Sequence, residues 1–343
     1  MSWWRSLFKM QPASAPERMA AVAVAEVRVP PRDLPQSFSL PSTGGPSLFD
    51  PALKHYPQAY RQGDAPFDDP AQRQRWLDAR ARAHDHVLRA IAASPWAQHL
   101  VLRGSATMPA WVGDVARRPG DLDWVVLPDD WAADGADADA LLHGFIDAIG
   151  TYGAPAGDVE INVVDVARDQ IWTYERAEGQ RLTFAWSAPD LPPGKLQCDF
   201  VFREPLWEPP IRHALPLSDG EAVELLVAGP QQALAWKILW LTTDWYPQGK
   251  DLYDAVLLAD RYALSEALLA RTLQAICAQV GDRRIQEKWG KVVSRPDAGM
   301  TAIAWNDFVA EYPWVDPDLN RWVERFRAVL QPLIARDIGH AAG

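Results

Sequence analysis

The chain has 343 residues, 48% of them hydrophobic and 23% charged, which is enough for two domains with a sizeable core. Its formal net charge of −11 excludes a protein whose whole surface is built to hold nucleic acid, although a local basic patch is still compatible. Two cysteines, Cys198 and Cys277, exclude a disulfide framework and indicate a reducing compartment, so we expect a cytoplasmic protein. The sequence has no signal-peptide pattern and no apolar run of about 18 residues, which predicts no membrane span.

Proline content and periodicity organise the first two thirds of the chain. Residues 1–68 hold 10 of the 29 prolines and show little periodicity, which predicts an extended or partly ordered arm. Asp69 as a cap and Pro70 at the first helical position then predict a helix over 70–94. Alternation and β-branched content predict strands at 99–104, 121–127, 158–166, 181–187 and 196–203. A helix between the second and third strands buries Leu141, Leu142, Phe145 and Ile149.

From residue 229 onwards the apolar pattern is helical almost to the end of the chain. The first of these helices opens with Pro230, and Ser265 is expected to cap a later one. The elements together predict an α+β fold, in which a mixed sheet flanked by helices is followed by a C-terminal helical domain. The predicted boundaries are a Pro-rich arm over 1–68, a sheet domain over 69–228 and the helical domain over 229–343.

Asp121 and Asp123 open the second predicted strand in the sequence Asp-Leu-Asp. Because side chains alternate along a strand, both carboxylates point to one face, where their repulsion costs stability unless a cation lies between them. Mg²⁺ is the hard cation that suits such a pair and also gathers triphosphate oxygens, and Mn²⁺ can replace it. Taken alone, such a pair is more often two solvent-facing acids, so the metal hypothesis depends on its companions.

Gly104-Ser105 ends the strand that precedes the aspartate pair. A glycine at this point lets the backbone approach a ligand, and the serine hydroxyl and exposed amides can bind phosphate. A Gly-Ser pair alone is a weak signal. Followed by Asp-x-Asp on the next strand, it favours a nucleotide site.

A third carboxylate is expected on a neighbouring strand, either as a general base or as a ligand in a two-metal site. Asp199 is the acid inside the predicted strand 196–203. A competing set shares one face of the strand 158–166: Asp158, Glu160 and Asn162. Asp199 is favoured because its apolar flanks make an unpaired acid there hard to explain structurally.

Lys237 lies inside an apolar helical stripe, since Leu234 and Leu241 are one helical turn away on either side. A lysine in such a place is rarely left unpaired. The structural interpretation is an ion pair with Asp251 or Asp254, which are themselves one helical turn apart.

The histidines and cysteines form no recognisable site. His84 and His86 lie on opposite sides of the first helix, which predicts two solvated side chains that cannot share a metal. No Cys-His arrangement is readable from the sequence, and Cys198 is expected to be a small core residue.

The order of Gly-Ser, Asp-x-Asp and a later strand aspartate resembles the nucleotidyltransferases of the DNA polymerase β superfamily. The segment LRGSATMPAWVGDVARRPGDLDWVVL is similar to the AbiEii/AbiGii group of toxin nucleotidyltransferases, which includes the MenT toxins. Arg118 stands three residues before Asp121, as that group's pattern expects. The group's later lysine helix and its RDLYDL-like segment are matched by ALAWKILWL, with Lys237, and by GKDLYDAVLL, with Asp251 and Asp254. The resemblance covers roughly residues 98–262.

This resemblance implies a nucleotidyltransferase-like sheet and Mg²⁺-dependent transfer of a nucleoside monophosphate from an NTP to an acceptor hydroxyl. The implied catalytic residues are Asp121, Asp123, Asp199 and Lys237, of which the three aspartates would also be metal ligands. The implied nucleotide-binding residues are Gly104, Ser105, Arg118, Lys237, Asp251 and Asp254. The implied acceptor is the 3′ end of tRNA, and the setting is the toxin of a toxin–antitoxin or phage-defence pair with a cognate antitoxin protein.

Two other functions stay open at this point. A small-molecule nucleotidyltransferase, for example one that modifies an antibiotic, is slightly favoured by the acidic charge, because a cationic aminoglycoside is attracted to an acidic cleft. A non-catalytic partner-binding module would have a degenerate site and dock through its Trp-rich surface or its proline-rich arm. The presence of all three acids weighs against this last function.

Overall fold

The computed structural model describes residues 47–49, 60–62, 67–155, 157–171, 177–243, 247–280 and 305–341. One compact unit, here called the sheet unit, lies within residues 26–229, and the described helices from residue 230 onwards belong to a second, the helical unit. Within the arm predicted over 1–68, the structure describes two short strands, Ser47–Phe49 (β1) and Tyr60–Gln62 (β2), which pair antiparallel. Apart from Phe67 and Asp68, the rest of that arm lies outside the described residues.

The sheet unit alternates helices and strands before it continues as strands. In chain order its further elements are α1 (Pro70–Ala92), β3 (Leu100–Arg103), α2 (Met108–Val112), β4 (Leu122–Val126), α3 (Ala136–Thr151), β5 (Glu160–Ile161), β6 (Ala167–Gln170), β7 (Glu178–Ser187), β8 (Gly194–Phe202), β9 (Ile211–Pro216) and β10 (Ala222–Val227). Strands β3 to β10 form one eight-stranded sheet in the order β5-β7-β8-β4-β3-β10-β9, with β6 also paired to β7. The sheet is mixed, because β4 runs parallel to β8 and β3 parallel to β10.

Helix α1 begins as the sequence predicts and covers one face of this sheet. The Asp69 carboxylate accepts a hydrogen bond from Ala71 N at 2.9 Å, and Pro70 occupies the first turn, where its missing N–H costs nothing. The buried side chains recur at helical spacing, and Trp76 packs on Trp186 of β7 with ring centroids 5.1 Å apart. The same indole donates to Pro192 O, so this large side chain is both packed and satisfied.

Helix α3 supplies the centre of the core on the same face of the sheet. Phe145 meets Trp124 of β4 and Phe200 of β8 edge to face, at centroid distances of 5.9 and 4.8 Å. The predicted inward residues of this helix, Leu141, Leu142, Phe145 and Ile149, are all buried. The even-numbered residues of β4 and β8 therefore face the helices, and the odd-numbered residues face the opposite side.

The helical unit contains the described helices α4 (Pro230–Thr243), α5 (Gly249–Ala259), α6 (Glu266–Val280), α7 (Trp305–Glu311) and α8 (Leu319–Ala341). Ser265 caps α6 as predicted, since its hydroxyl accepts from Leu268 N at 3.2 Å. An aromatic cluster joins α5, α7 and α8, with Tyr253 packed against Phe308 and Trp322. Within the described part of the chain, no helix has the length and apolar character needed to span a membrane.

Three sequence predictions differ from the structure. The strand expected over 158–166 is only Glu160–Ile161, because Asn162 Oδ1 accepts from Val164 N and Asp165 N and closes a turn that ends the strand. Strands β1, β2, β6, β9 and β10 have no counterpart among the predicted strands. The prediction that His84 and His86 are solvated is wrong: both are only 4% exposed. A ring nitrogen of His86 lies 3.0 Å from Ile149 O, so its burial is compensated.

Candidate active site

A row of ionisable residues crosses five strands of the sheet. The pairing register sets Asp169 of β6 opposite Arg181, Arg181 of β7 opposite Asp199, Asp199 of β8 opposite Asp123, and Asp123 of β4 opposite Arg103 of β3. Register partners on neighbouring strands place their side chains on the same face, with Cβ atoms about 5 Å apart. These five residues, here called the charged row, therefore bring Asp123 and Asp199 side by side, as the nucleotide-site hypothesis requires.

Asp199 is held by a bidentate ion pair. Arg181 donates from Nε to Oδ1 and from Nη2 to Oδ2 of Asp199, each at 2.8 Å, and Gln197 Nε2 donates to Oδ2 at 3.3 Å. Asp199 is 3% exposed as a residue, and the Arg181 side chain is 17% exposed. Bidentate pairing of a guanidinium with a carboxylate fixes the plane of the carboxylate and stabilises its negative charge.

Gly104 gives the Asp123 carboxylate its space. Its φ is +74°, a left-handed conformation that glycine adopts without strain, and a Cβ added at residue 104 would overlap Asp123 Oδ2. The glycine opens a 3₁₀ turn, Gly104–Thr107, directly after β3. The structure thus gives a physical reason for the glycine that the sequence singles out: a larger residue would be strained at this positive φ and would displace the carboxylate.

Asp121 lies just before β4 and is partly buried. Burial raises the pKa of the Cys198 thiol well above its ordinary value, and the carboxylates of Asp199, Asp121 and Asp123 raise it further. One buried thiol therefore experiences the negative charge of all three acids. This agrees with their positions at the start of β4 and on the part of β8 that pairs with it.

His84 adjoins this region from helix α1. Burial lowers the pKa of its ring to about 3, the positive charge of Arg80 lowers it as well, and Asp121 acts in the opposite direction. The ring is thus neutral at physiological pH. Its Nε2 is buried without a hydrogen-bond partner in the part of the chain that the structure describes.

The remaining sheet-unit predictions, Ser105 and Arg118, differ in exposure. Ser105 is 2% exposed, and its Oγ finds no hydrogen-bond partner among the described residues. Arg118 is about two-fifths exposed and donates from Nη1 to Asp78 Oδ1 of α1 at 3.1 Å. The competing acids Asp158 and Glu160 are exposed beside or on β5, an end strand of the sheet, while Asp199 lies next to β4.

Lys237 forms the structural ion pairs that the sequence allows. Its Nζ lies 2.6 Å from Asp251 Oδ1 and 3.1 Å from Asp254 Oδ2, and it stands 5.2 Å from the centre of the Trp240 ring. All three ionic side chains are buried, Asp254 completely. We call Lys237, Asp251 and Asp254 the lysine cluster. It belongs to the helical unit, and its ion pairs account for a buried lysine on an apolar stripe.

Arg181 and Arg103 belong to the charged row but are not predicted from the sequence. Arg181 begins a predicted strand, and alternation alone places it on the same face as Thr183, but its pairing with Asp199 follows from the strand register, which the sequence does not display. Arg103 is 3% exposed and donates to Glu204 Oε2 at 2.5 Å. An arginine at the end of the apolar run Leu-Val-Leu, immediately before Gly104-Ser105, is the local signal that could have indicated it.

Comparison with known proteins identifies the family of this chain. A family model described as "Nucleotidyl transferase AbiEii toxin, Type IV TA system" matches residues 86–332, well over half of the chain. The protein is therefore a nucleotidyltransferase. It belongs to the AbiEii nucleotidyl transferase toxin family, which confirms the resemblance drawn from the sequence.

Among solved structures, an antigenic nucleotidyltransferase-like protein from Paracoccidioides brasiliensis is similar to this chain at 16% sequence identity, with a TM-score of 0.35. The match covers 64% of this chain and 92% of the other. No curated protein matches the chain. The predicted fold class is confirmed, with a mixed sheet flanked by helices and helices in the C-terminal part.

Proposed function

We propose that this protein uses Mg²⁺ to transfer a nucleoside monophosphate from an NTP to the hydroxyl at the 3′ end of an RNA, with tRNA as the acceptor. The observation that carries the proposal is the register pairing of Asp123 with Asp199 beside Gly104. In this register the two aspartates are neighbours on adjacent strands, and Gly104 beside Asp123 has no side chain. Family membership supports the transfer reaction, and the acceptor and the cation are the parts that the proposal adds.

The residues present suit a magnesium ion at Asp121 and Asp123. Both offer carboxylate oxygens, which are the ligands that Mg²⁺ prefers, and Gly104 leaves room at the Asp123 carboxylate. In the described residues, no group of three or more His, Cys, Asp or Glu side chains is arranged to hold a metal ion. We therefore propose that the protein supplies two carboxylates and that the nucleotide supplies further oxygens. When bound, Mg²⁺ would neutralise charge on the triphosphate.

The other residues act on the nucleotide and the acceptor. Gly104 and Ser105 cradle phosphate oxygens, for which the unpartnered Ser105 hydroxyl is suited. The acceptor oxygen attacks the α-phosphorus, its proton passes to a carboxylate oxygen of Asp199, and the bond to the β-phosphate oxygen breaks as pyrophosphate leaves. Arg118 steadies the charge of the leaving group. Within the helical unit, Asp251 and Asp254 hold Lys237 in place, and a nucleotide-binding role for these three residues stays a prediction of the sequence resemblance.

The biological setting follows from the family description, which names a toxin of a type IV toxin–antitoxin system. We propose a cognate antitoxin protein as a partner, a cytoplasmic location and a role in phage defence. The net charge of −11 fits an enzyme that contacts one end of an RNA and not an extended stretch of it. The same charge favours a small cationic acceptor as the second candidate, which the experiment below separates from RNA.

The test is a transfer assay with Mg²⁺, each labelled NTP in turn and total bacterial RNA. The double variant Asp121→Asn/Asp123→Asn is compared with Asp129→Asn, which replaces an exposed aspartate beyond the other end of β4. We expect label in tRNA-sized RNA, a loss of roughly 10³-fold or more in the double variant, and wild-type transfer in the Asp129 control. Excess chelator should abolish the reaction.

Two results would contradict the proposal in different ways. Binding of NTP without label on RNA would favour a small-molecule acceptor, which an aminoglycoside panel would then identify. Absence of both nucleotide binding and transfer would overturn the catalytic assignment and favour the partner-binding module.

A further inference from the structure

The proposed reaction assigns Asp199 the role of accepting the hydroxyl proton, whereas the sequence resemblance implies a second role, that of a metal ligand. Its contacts distinguish them. A carboxylate has two oxygens with about four lone-pair positions. Arg181 and Gln197 together fill two positions on Oδ2 and one on Oδ1. Among the described residues, one position, on Oδ1, has no hydrogen-bond partner.

The open position lies beside a positive charge. Arg181 Nε is 2.8 Å from the same Oδ1, so a cation placed there would be repelled by the guanidinium. A hydroxyl group carries no net charge and can donate to the same lone pair without that repulsion. The site around Asp199 is therefore selective for a neutral hydrogen-bond donor over a metal ion.

The position of Arg181 is fixed by the fold as well as by the ion pair. Arg181 and Asp199 are register partners on antiparallel strands, and the β7–β8 ladder extends over nine consecutive pairs from Glu178↔Phe202 to Trp186↔Gly194. Asp199 is almost fully buried, so its orientation is set by these contacts and not by solvent. A bidentate ion pair between two firmly paired strands holds the carboxylate of Asp199 in one orientation before the reaction.

We infer that Arg181 is a positioning residue that reserves Asp199 for the acceptor hydroxyl and keeps it out of the metal ligands, so that the cation is held through Asp121 and Asp123. The inference rests on the proposed function and deepens it. It divides the three acids into a metal pair and a proton acceptor.

The test combines metal binding with kinetics on the full chain. Mn²⁺ is titrated by electron paramagnetic resonance in the presence of α,β-methylene analogues of each common NTP. Asp123→Asn should weaken Mn²⁺ binding by about 10-fold or more, whereas Asp199→Asn and Arg181→Lys should leave it within about 3-fold of wild type. In the transfer assay, Asp199→Asn and Arg181→Lys should each lower kcat by about 100-fold with little change in KM for the NTP.

A double variant and a matched control separate positioning from general damage. Because Arg181 acts through Asp199, Arg181→Lys/Asp199→Asn should be no slower than Asp199→Asn alone. Arg168→Lys is the control, since Arg168 is on the neighbouring strand β6 and pairs with Asp139, outside the charged row. It should keep wild-type kcat.

The outcomes separate this inference from the proposed function. If Asp199→Asn loses Mn²⁺ binding to the same extent as Asp123→Asn, Asp199 is a metal ligand and the inference is wrong, although the transferase proposal stands. Additive losses in the double variant would likewise overturn the positioning role. If the wild type binds no Mn²⁺ with any analogue and transfers nothing, the proposed function is wrong and the inference falls with it.

Discussion

The charged row of the sheet unit and the lysine cluster of the helical unit are built from the same residue types, but they differ in construction. The charged row takes each residue from a different strand, and register brings them together. The lysine cluster takes Asp251 and Asp254 from one turn of α5 and Lys237 from α4. Arg181 keeps 17% of its side chain exposed, whereas the lysine cluster ranges from 0 to 11%.

Because of this difference, the charged row can accept a ligand, whereas the charged groups of the lysine cluster are already paired with one another. In the charged row, one lone pair of Asp199 Oδ1 has no hydrogen-bond partner among the described residues, and Asp123 faces a glycine. In the lysine cluster, one ammonium group with three donors meets two carboxylates and an aromatic face. We conclude that the charged row is the stronger candidate for chemistry and that the lysine cluster contributes first to stability.

The largest effect on stability is expected from Lys237→Met. Removing the ammonium leaves two buried carboxylates next to each other without compensation, which should lower the free energy of unfolding by about 3–5 kcal/mol. Urea unfolding at neutral pH without nucleotide measures this loss. A triple variant that also carries Asp251→Asn and Asp254→Asn should recover at least half of it. A loss below about 1 kcal/mol would show that the lysine cluster contributes little to stability. The conclusion that it acts first as a structural element would then be wrong.

An intermediate effect on stability is expected from His84 of α1, whose ring is affected by the charge of Asp121. Its pKa is about 3 in the folded chain and about 6.5 when unfolded, so below pH 6.5 the unfolded chain binds a proton that the folded chain does not. Stability should therefore fall as the pH is lowered from 6.5 towards 3, by about 2 kcal/mol at pH 5.

His84→Leu isolates this contribution. The difference in unfolding free energy between wild type and variant, measured at pH 8 and again at pH 5, should change by about 2 kcal/mol in favour of the variant. An unchanged difference would mean that the His84 ring is protonated at pH 5 in the folded protein. Its pKa would then not be lowered by burial.

The smallest effect on stability is expected from Arg118, whose ion pair with Asp78 is exposed on both sides. Arg118→Ala should change the free energy of unfolding by less than about 1 kcal/mol. If Arg118 steadies the nucleotide, the variant should raise KM for the NTP about 10-fold. Asp78→Ala breaks the same pair but keeps the guanidinium, so it should leave KM unchanged. Equal changes in both variants would assign Arg118 a purely structural role.

Local signals in the sequence predict much of the sheet unit. The cap at Asp69 and the proline that follows it define the start of α1, and the inward face of α3 follows from its periodicity. Alternation along β8 is sufficient to separate Asp199 from its apolar neighbours. These features depend on residues within one turn or one strand, which is why the sequence contains them.

Features that depend on distant neighbours were not predictable. The Arg181–Asp199 pair requires the register of two strands, and the burial of His84 and His86 requires knowledge of what covers α1. Strand β9 is largely exposed, and its residues Ile-Arg-His-Ala-Leu-Pro do not alternate between apolar and polar, so periodicity does not predict it. Helix periodicity does not predict the burial of the two histidines. Their polar side chains indicate solvent exposure, whereas the fold buries them both.

The register that assembles the charged row also determines which changes in length the gene can tolerate. Deleting one residue within β8 would move Asp199 to the opposite face and bring an apolar neighbour opposite Asp123. An insertion in the exposed connection near Asp114 leaves the pairing register of the strands unchanged, because this connection lies between β3 and β4 and not within a strand. Natural length variation among relatives should therefore concentrate between β3 and β4 and be absent from β4, β7 and β8.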